Sequence, residues 1–462
     1  MTAKNGKPGL RRDLGLVQAT ALAITDMIGI GPFIAIPLLI ATMGGPQAMF
    51  GWILGAFLAF FDGLVWAELG AAMPKAGGSY HYLREAFGPM TGGRWFSFLM
   101  VWQITFSAPL SVASGSIGFA NYCHFLIPSL SPWGVRILAS MIPLLLVAVL
   151  YRRIGALGKL SVILLTGVLV GCFWIVISGL PHLSAARLFD FPPDAFKLNW
   201  IFWMGLGHAT LYGLYCYWGY YNVCYLGEEI RQPERVIPRA ILISIAAVGT
   251  LYVLMTASIL SVIPWRQVRE SSFIVSTYIQ ELQGTTAANL MTLLTLWIAF
   301  SSVFSLLLGY SRIPYAAAAD GNFFRVFARL HPRGNFPHIS LVTLGIIASI
   351  FSLWKLPDVI GSLVATRVLV QYLPQTIGFF VLRFRAPNMA RPFRMWFYPL
   401  PGLVSILGWI YVLVTSARRA LLFAFAVFLL GSLAFFVRAK LRGEWPFIPS
   451  LKTREGESSP EV

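Results

Sequence analysis

Apolar residues fill this chain in runs of roughly twenty, divided by short polar segments rich in arginine, and that rhythm predicts helices that cross a bilayer. Such windows fall at 15–43, 48–72, 95–125, 133–151, 158–180, 200–226, 240–263, 286–310, 339–354, 358–382, 397–416 and 420–438. The first and sixth are interrupted. Residues 26–33 read Asp-Met-Ile-Gly-Ile-Gly-Pro-Phe, which sets a carboxylate, two glycines and a proline inside an apolar span. Hydrocarbon offers freed backbone groups no partner, so a break there predicts unwound chain lining a cavity. The sixth window carries Gly205, Gly207, His208 and Gly213, then Tyr215, Cys216, Tyr217, Trp218, Gly219, Tyr220, Tyr221 and Asn222. Interrupted helices at corresponding places of two halves point to an inverted repeat with a site between them. The expected fold is an all-α membrane protein of 12 transmembrane helices: a 5+5 inverted repeat with discontinuous helices 1 and 6, plus two peripheral helices. Residues 1–13 form an N-terminal segment, 14–440 the membrane domain and 441–462 a tail. Within the domain the first repeat is 14–180, the second 200–383, and the last two helices lie in 396–440.

Composition agrees with the pattern, being 57% hydrophobic and 11% charged. A soluble domain carries about 25% charged residues. The net charge of +17 invites a nucleic-acid reading, but most of the 35 lysines and arginines fall in alternate loops. That bias puts both termini in the cytoplasm and turns the excess charge toward anionic lipid rather than nucleic acid. The first thirteen residues lead straight into a long span and read as no cleavable leader. Cys123, Cys172, Cys216 and Cys224 lie in or beside spans without metal-type pairing and read as small buried thiols.

Several motifs follow in a familiar order. They are Gly29-Ile-Gly-Pro-Phe33; Trp66-Ala-Glu68 with Met73-Pro through Tyr80 and Leu83 through Gly88; Gly227-Glu-Glu229 with Ile237-Pro-Arg-Ala240; Ser311-Arg312 with Asp320-Gly321; and Arg391-Pro-Phe-Arg394. Together they span some 400 residues and resemble the amino acid–polyamine–organocation superfamily of transporters. The resemblance implies substrate between helices 1 and 6, with amides of Ile30 and Gly31 meeting a carboxylate and a gating aromatic at Tyr220. It also implies alternating access by rocking of helices 1, 2, 6 and 7 against 3, 4, 8 and 9. In sodium-coupled relatives two hydroxyls of the eighth helix help bind the ion; Ser302 aligns best, with Ser301 and Ser305 nearby. A lysine takes that ion's place in some proton-driven relatives, but Val168 stands near that position here and Lys159 falls at the helix end.

The residues themselves carry a parallel reading. Where a helix restarts, its first amides lack acceptors and its dipole is positive, so the Ile28–Gly31 backbone suits a substrate carboxylate. A packing glycine pair is the competing account. Carbonyls around Tyr215–Tyr217 suit a substrate ammonium, and Trp218, Tyr220 and Tyr221 offer aromatic faces. Asp26 is an intramembrane carboxylate, costing about 2.5–3.5 kcal/mol at a helix centre, so it is expected to face a cavity and act on a substrate amine or a coupled proton. A structural, backbone-bonded carboxylate is the alternative. Many members of the superfamily carry a small or hydroxyl residue at this position.

Arg367, inside the tenth span, is a candidate partner for Asp26 or for Asp62 in the second span, or a gate of the vestibule. Glu68 is expected to order the cytoplasmic face, and Glu228 and Glu229 to form a latch with Arg231 and Arg235. His208 reads as a hydrogen-bonded core histidine. Residues 155–161 lack the spacing of a phosphate loop, and neither a zinc-protease nor a serine-hydrolase motif occurs. The expected function is secondary active transport of amino acids, with protons or sodium as coupling ion and no cofactor. A polyamine or organic cation carrier is the alternative, and a non-transporting sensor or a channel stands further off.

Overall fold

A computed structural model describes residues 14–74, 77–151, 157–332, 334 and 336–447. The N-terminal segment 1–13 and most of the expected tail lie outside them, as does the side chain of Lys159. The chain is helical, with no strand among the described residues apart from one bridge between Leu14 and Ile230. In order the helices are α1 (Leu16–Met27), α2 (Gly31–Met43), α3 (Phe50–Ala72), α4 (Ser79–Ala86), α5 (Gly93–Leu126) and α6 (Pro132–Leu150). Then come α7 (Leu157–Gly179), α8 (Ala185–Leu188), α9 (Trp200–Tyr217), α10 (Pro233–Val262), α11 (Trp265–Val268) and α12 (Ile274–Tyr310). The last are α13 (Arg312–Ala319), α14 (His338–Phe351), α15 (Leu356–Arg367), α16 (Leu373–Arg385), α17 (Leu400–Thr415) and α18 (Arg418–Arg442). Among the described residues, 7 helices are long and apolar enough to cross a membrane, or 8 if α1 and α2, bent by 51°, count as one span.

Local chemistry sets the ends. Asn199 caps α9 by accepting the Phe202 amide at 3.0 Å, and Ser131 caps α6 by accepting that of Gly134 at 3.0 Å. One helix begins earlier than hydropathy predicts, α10 at Pro233 instead of 240, whereas α12 kinks at Gly284 (φ +83°, ψ 177°), so its apolar part restarts close to the expected 286. Hydropathy sees the apolar stretch, whereas the polar turn Pro233-Glu-Arg235 continues the same helix after Gln232, whose left-handed backbone starts it. The short helices α4 and α13 escape a hydropathy window altogether because only one face of each is apolar.

Long α5 forms the middle of the bundle and is buried over most of its length. Against it lies α2: a Cβ at Gly118 would come within 2.9 Å of Ile34, and Tyr122 donates to the Phe33 carbonyl at 3.3 Å. At the other end Glu68, at the foot of α3, accepts from Arg383 at 2.6 Å and from the Met395 amide at 2.7 Å, with Arg391 at 3.5 Å. Its partners come from the end of α16 and the loop after it, a long-range tie that proximity in sequence does not suggest.

Candidate substrate site

The first interruption occupies the residues between Met27 and Gly31. α1 ends with Ile28 extended at φ −91° and ψ 96°, its amide still bonded to Ile24, and α2 restarts at Gly31 followed by Pro32. Proline fits the first turn because its missing N–H would have had no helical partner anyway. Gly31 lies against α9, where a Cβ would stand 3.3 Å from the Cys216 sulfur.

The second interruption is shorter. α9 runs unbroken through Gly205, Gly207 and Gly213 to Tyr217; Trp218 is extended, and Gly219 turns at φ +135° into a 3-10 helix over Tyr220–Glu229. The interruption expected in the sixth window thus falls at Trp218 and Gly219, and the carbonyls around Tyr215–Tyr217 are those of the helix end. A Cβ at Gly219 would lie 2.6 Å from the Asp26 carbonyl carbon and 2.7 Å from the Met27 nitrogen. The two interruptions therefore meet backbone to backbone, which only glycine permits. Tyr252 of α10 secures the junction, its hydroxyl lying 2.8 Å from the Met27 carbonyl and 3.2 Å from that of Cys216. A buried phenol needs such partners, and its position mid-helix in an apolar span was the one signal the sequence held for it.

A cavity of about 720 Å³ opens at this junction and continues to Arg312 and Asp320 at the ends of α13. Its wall includes Asp26, Gly29, Ile30, Gly31, Tyr215, Cys216, Trp218, Tyr221, Ser302, Ser305 and Arg367. Asp26 is exposed to it and accepts from the Asn222 amide at 3.1 Å. Ser302 lies against the first interruption, its hydroxyl 2.6 Å from where a Gly29 Cβ would stand.

Eight expected site residues lie outside this wall, Glu68, Glu228 and Glu229 among them. Ile28 is buried in the core. Tyr217 donates to the Trp52 carbonyl at 3.1 Å, and Ser301 turns back to its own helix at Trp297, 2.7 Å away. Tyr220, the expected gating aromatic, is fully buried and donates to Asp62 at 2.5 Å, while Trp409 approaches the same carboxylate at 3.3 Å. Asp62 is therefore an anchor of the second interruption, away from the cavity. The aromatics exchange places: Trp218, extended before the Gly219 turn, and Tyr221, in the 3-10 helix after it, line the cavity, whereas Tyr220 turns away to Asp62.

Arg367 is also corrected. It forms an ion pair with neither Asp26 nor Asp62; its guanidinium donates to Tyr221 at 3.0 Å and Tyr310 at 2.8 Å and lies 5.3 Å from the centre of the Trp218 ring. Glu228 is exposed and Glu229 half-buried at the far end of the 3-10 helix. The contact there is through backbone, with the Leu14 amide on the Glu229 carbonyl at 3.1 Å and the Arg231 amide on Leu14 at 2.8 Å. His208 bonds the Met204 carbonyl at 3.0 Å, within its own helix.

A helical bundle whose interrupted spans enclose a solvated chamber defines a membrane carrier, and sequence comparison agrees. The amino acid permease family profile matches residues 14–447, and the chain belongs to that family as an integral membrane protein. It is 28% identical over 425 residues to the human large neutral amino acids transporter small subunit 2, covering 89% of this chain and 77% of that one. With the serine/threonine exchanger SteT of Bacillus subtilis (strain 168) it shares 26% over 415 residues, 88% of this chain and 91% of that. The cystine/glutamate transporter of Pongo abelii is 26% identical, over 86% of this chain and 79% of its own.

Proposed function

We propose that this chain is a secondary active amino acid transporter working by alternating access, a 5+5 inverted repeat with two added helices and with both termini in the cytoplasm. One observation carries the reading: both interruptions bring free backbone groups to one cavity and touch each other at Gly219 and Asp26. The substrate carboxylate meets amides at Gly29–Gly31, and its ammonium meets the carbonyls that end α9, with Asp26 beside them. Charge in the loops supports the orientation, since the cavity leads toward the arginine-rich end. The chamber is therefore read as open inward.

Asp26 is the proposed proton-coupling group, because it faces the chamber with only a neutral amide as hydrogen-bond partner. Uptake of labelled amino acids into proteoliposomes, with and without an inward proton gradient, tests both parts. Asp26→Asn should leave counterflow measurable while abolishing stimulation by the gradient; unchanged stimulation would remove Asp26 from coupling. Sodium coupling at Ser302 is the second arm, read by replacing sodium with choline. A polyamine has no carboxylate for the amides and would meet the Arg367 cation in the chamber wall, which favours amino acids over it. Competition by putrescine decides the point.

A further inference from the structure

Arg367 is 4% exposed, sits in the cavity wall and has no anionic partner among the described residues. The other deeply placed arginines differ. Arg438 has Glu444 at 3.7 Å, and both Arg383 and Arg391 share Glu68, at 2.6 and 3.5 Å. Arg367 has two phenols, Tyr221 and Tyr310, and an indole face, all neutral; its Nε–H is buried without an acceptor. A buried guanidinium without a counter-ion is costly, and its planar fork is shaped to hold a carboxylate with two parallel hydrogen bonds.

Resting on the amino acid reading above, we propose that Arg367 receives a second acidic group, so that the preferred substrate is an amino acid with an anionic side chain. Placement separates this subsite from the one for the α-carboxylate. The amide and carbonyl groups lie together where Gly219 packs on Asp26, both on the broken segments. Arg367 comes instead from the end of α15 and is held against Tyr221 and the Trp218 ring, both of which line the cavity. On arrival the carboxylate replaces one phenol on the guanidinium and gives the Nε–H its acceptor.

Glutamate and glutamine have nearly the same shape and differ in this charge. In proteoliposomes holding the full chain, wild type should take up glutamate in preference to glutamine. Arg367→Gln should lower kcat/KM for glutamate roughly a hundredfold while changing glutamine less than about threefold, because a site built for one polar group discriminates strongly against its loss. Equal loss for both would assign Arg367 to the α-carboxylate or to structure, and wild-type preference for glutamine would likewise overturn the proposal. Uptake of leucine but of neither of these would sink this inference and leave the transporter reading standing. Counterflow of no amino acid at all would remove both. If Arg367→Gln fails to fold, the thermal stability of wild type decides: glutamate should raise Tm more than glutamine at the same concentration, and equal shifts refute the proposal.

Discussion

The two interrupted spans reach the same chamber by different means. The first is a backbone device: the three residues Ile28–Ile30 separate the two helices, and a Gly-Pro start redirects the chain by 51°. The second stops at Trp218 and Gly219, continues as a 3-10 helix, and is held by side chains, Tyr217 on Trp52 and Tyr220 on Asp62. A wide break offers amides over a length of chain; a narrow, braced one offers the fixed end of a helix. The first is thus suited to surround a substrate group and the second to present carbonyls and aromatic faces from a set position.

The largest expected effect comes from Gly219→Ala, which puts a Cβ at φ +135° into the Asp26 backbone. The left-handed penalty of about 1–2 kcal/mol adds to a contact that nothing flexible relieves. Uptake should fall at least roughly tenfold with a lower Tm. Gly31→Ala, which meets the movable Cys216 side chain at 3.3 Å, should cost far less. Equal effects would erase the distinction between a bare junction and a packed one. Next comes Tyr252→Phe. Removing a hydroxyl that serves carbonyls from both spans should destabilise by about 1–3 kcal/mol, read in thermal unfolding, because those buried acceptors lose their donor. Tyr220→Phe should lower stability similarly but leave proton stimulation intact, since Asp62 lies off the chamber. Smallest is Ser301→Ala, within about 0.5 kcal/mol and with normal uptake, because that hydroxyl bonds its own helix. A strong effect there would return Ser301 to the site.

Much of this was legible in sequence because hydropathy and helix breakers act locally. Asp26, Gly29 and Gly31 declare a break wherever they stand in an apolar run, and the structure puts all three in the cavity wall. What stayed hidden depends on winding and on distant partners. Choosing between Tyr220 and Tyr221 needs the three-residue turn, which no composition reveals. The Glu68 tie to Arg383 joins positions 315 residues apart, and Arg367 finds phenols from two other segments where charge counting expects a carboxylate.

Bare main chain pressed against main chain at Gly219 also divides labour in the molecule. On the proposed reading, recognition of what every amino acid shares falls in that seam, where a Cβ at Gly219 does not fit. Walls contributed by α5, α12 and α15, among them Ser111, Ser305 and Leu363, stand apart from it and can be exchanged singly. Selectivity in this scaffold is therefore open to redesign by repainting three faces, with the docking of backbone left untouched.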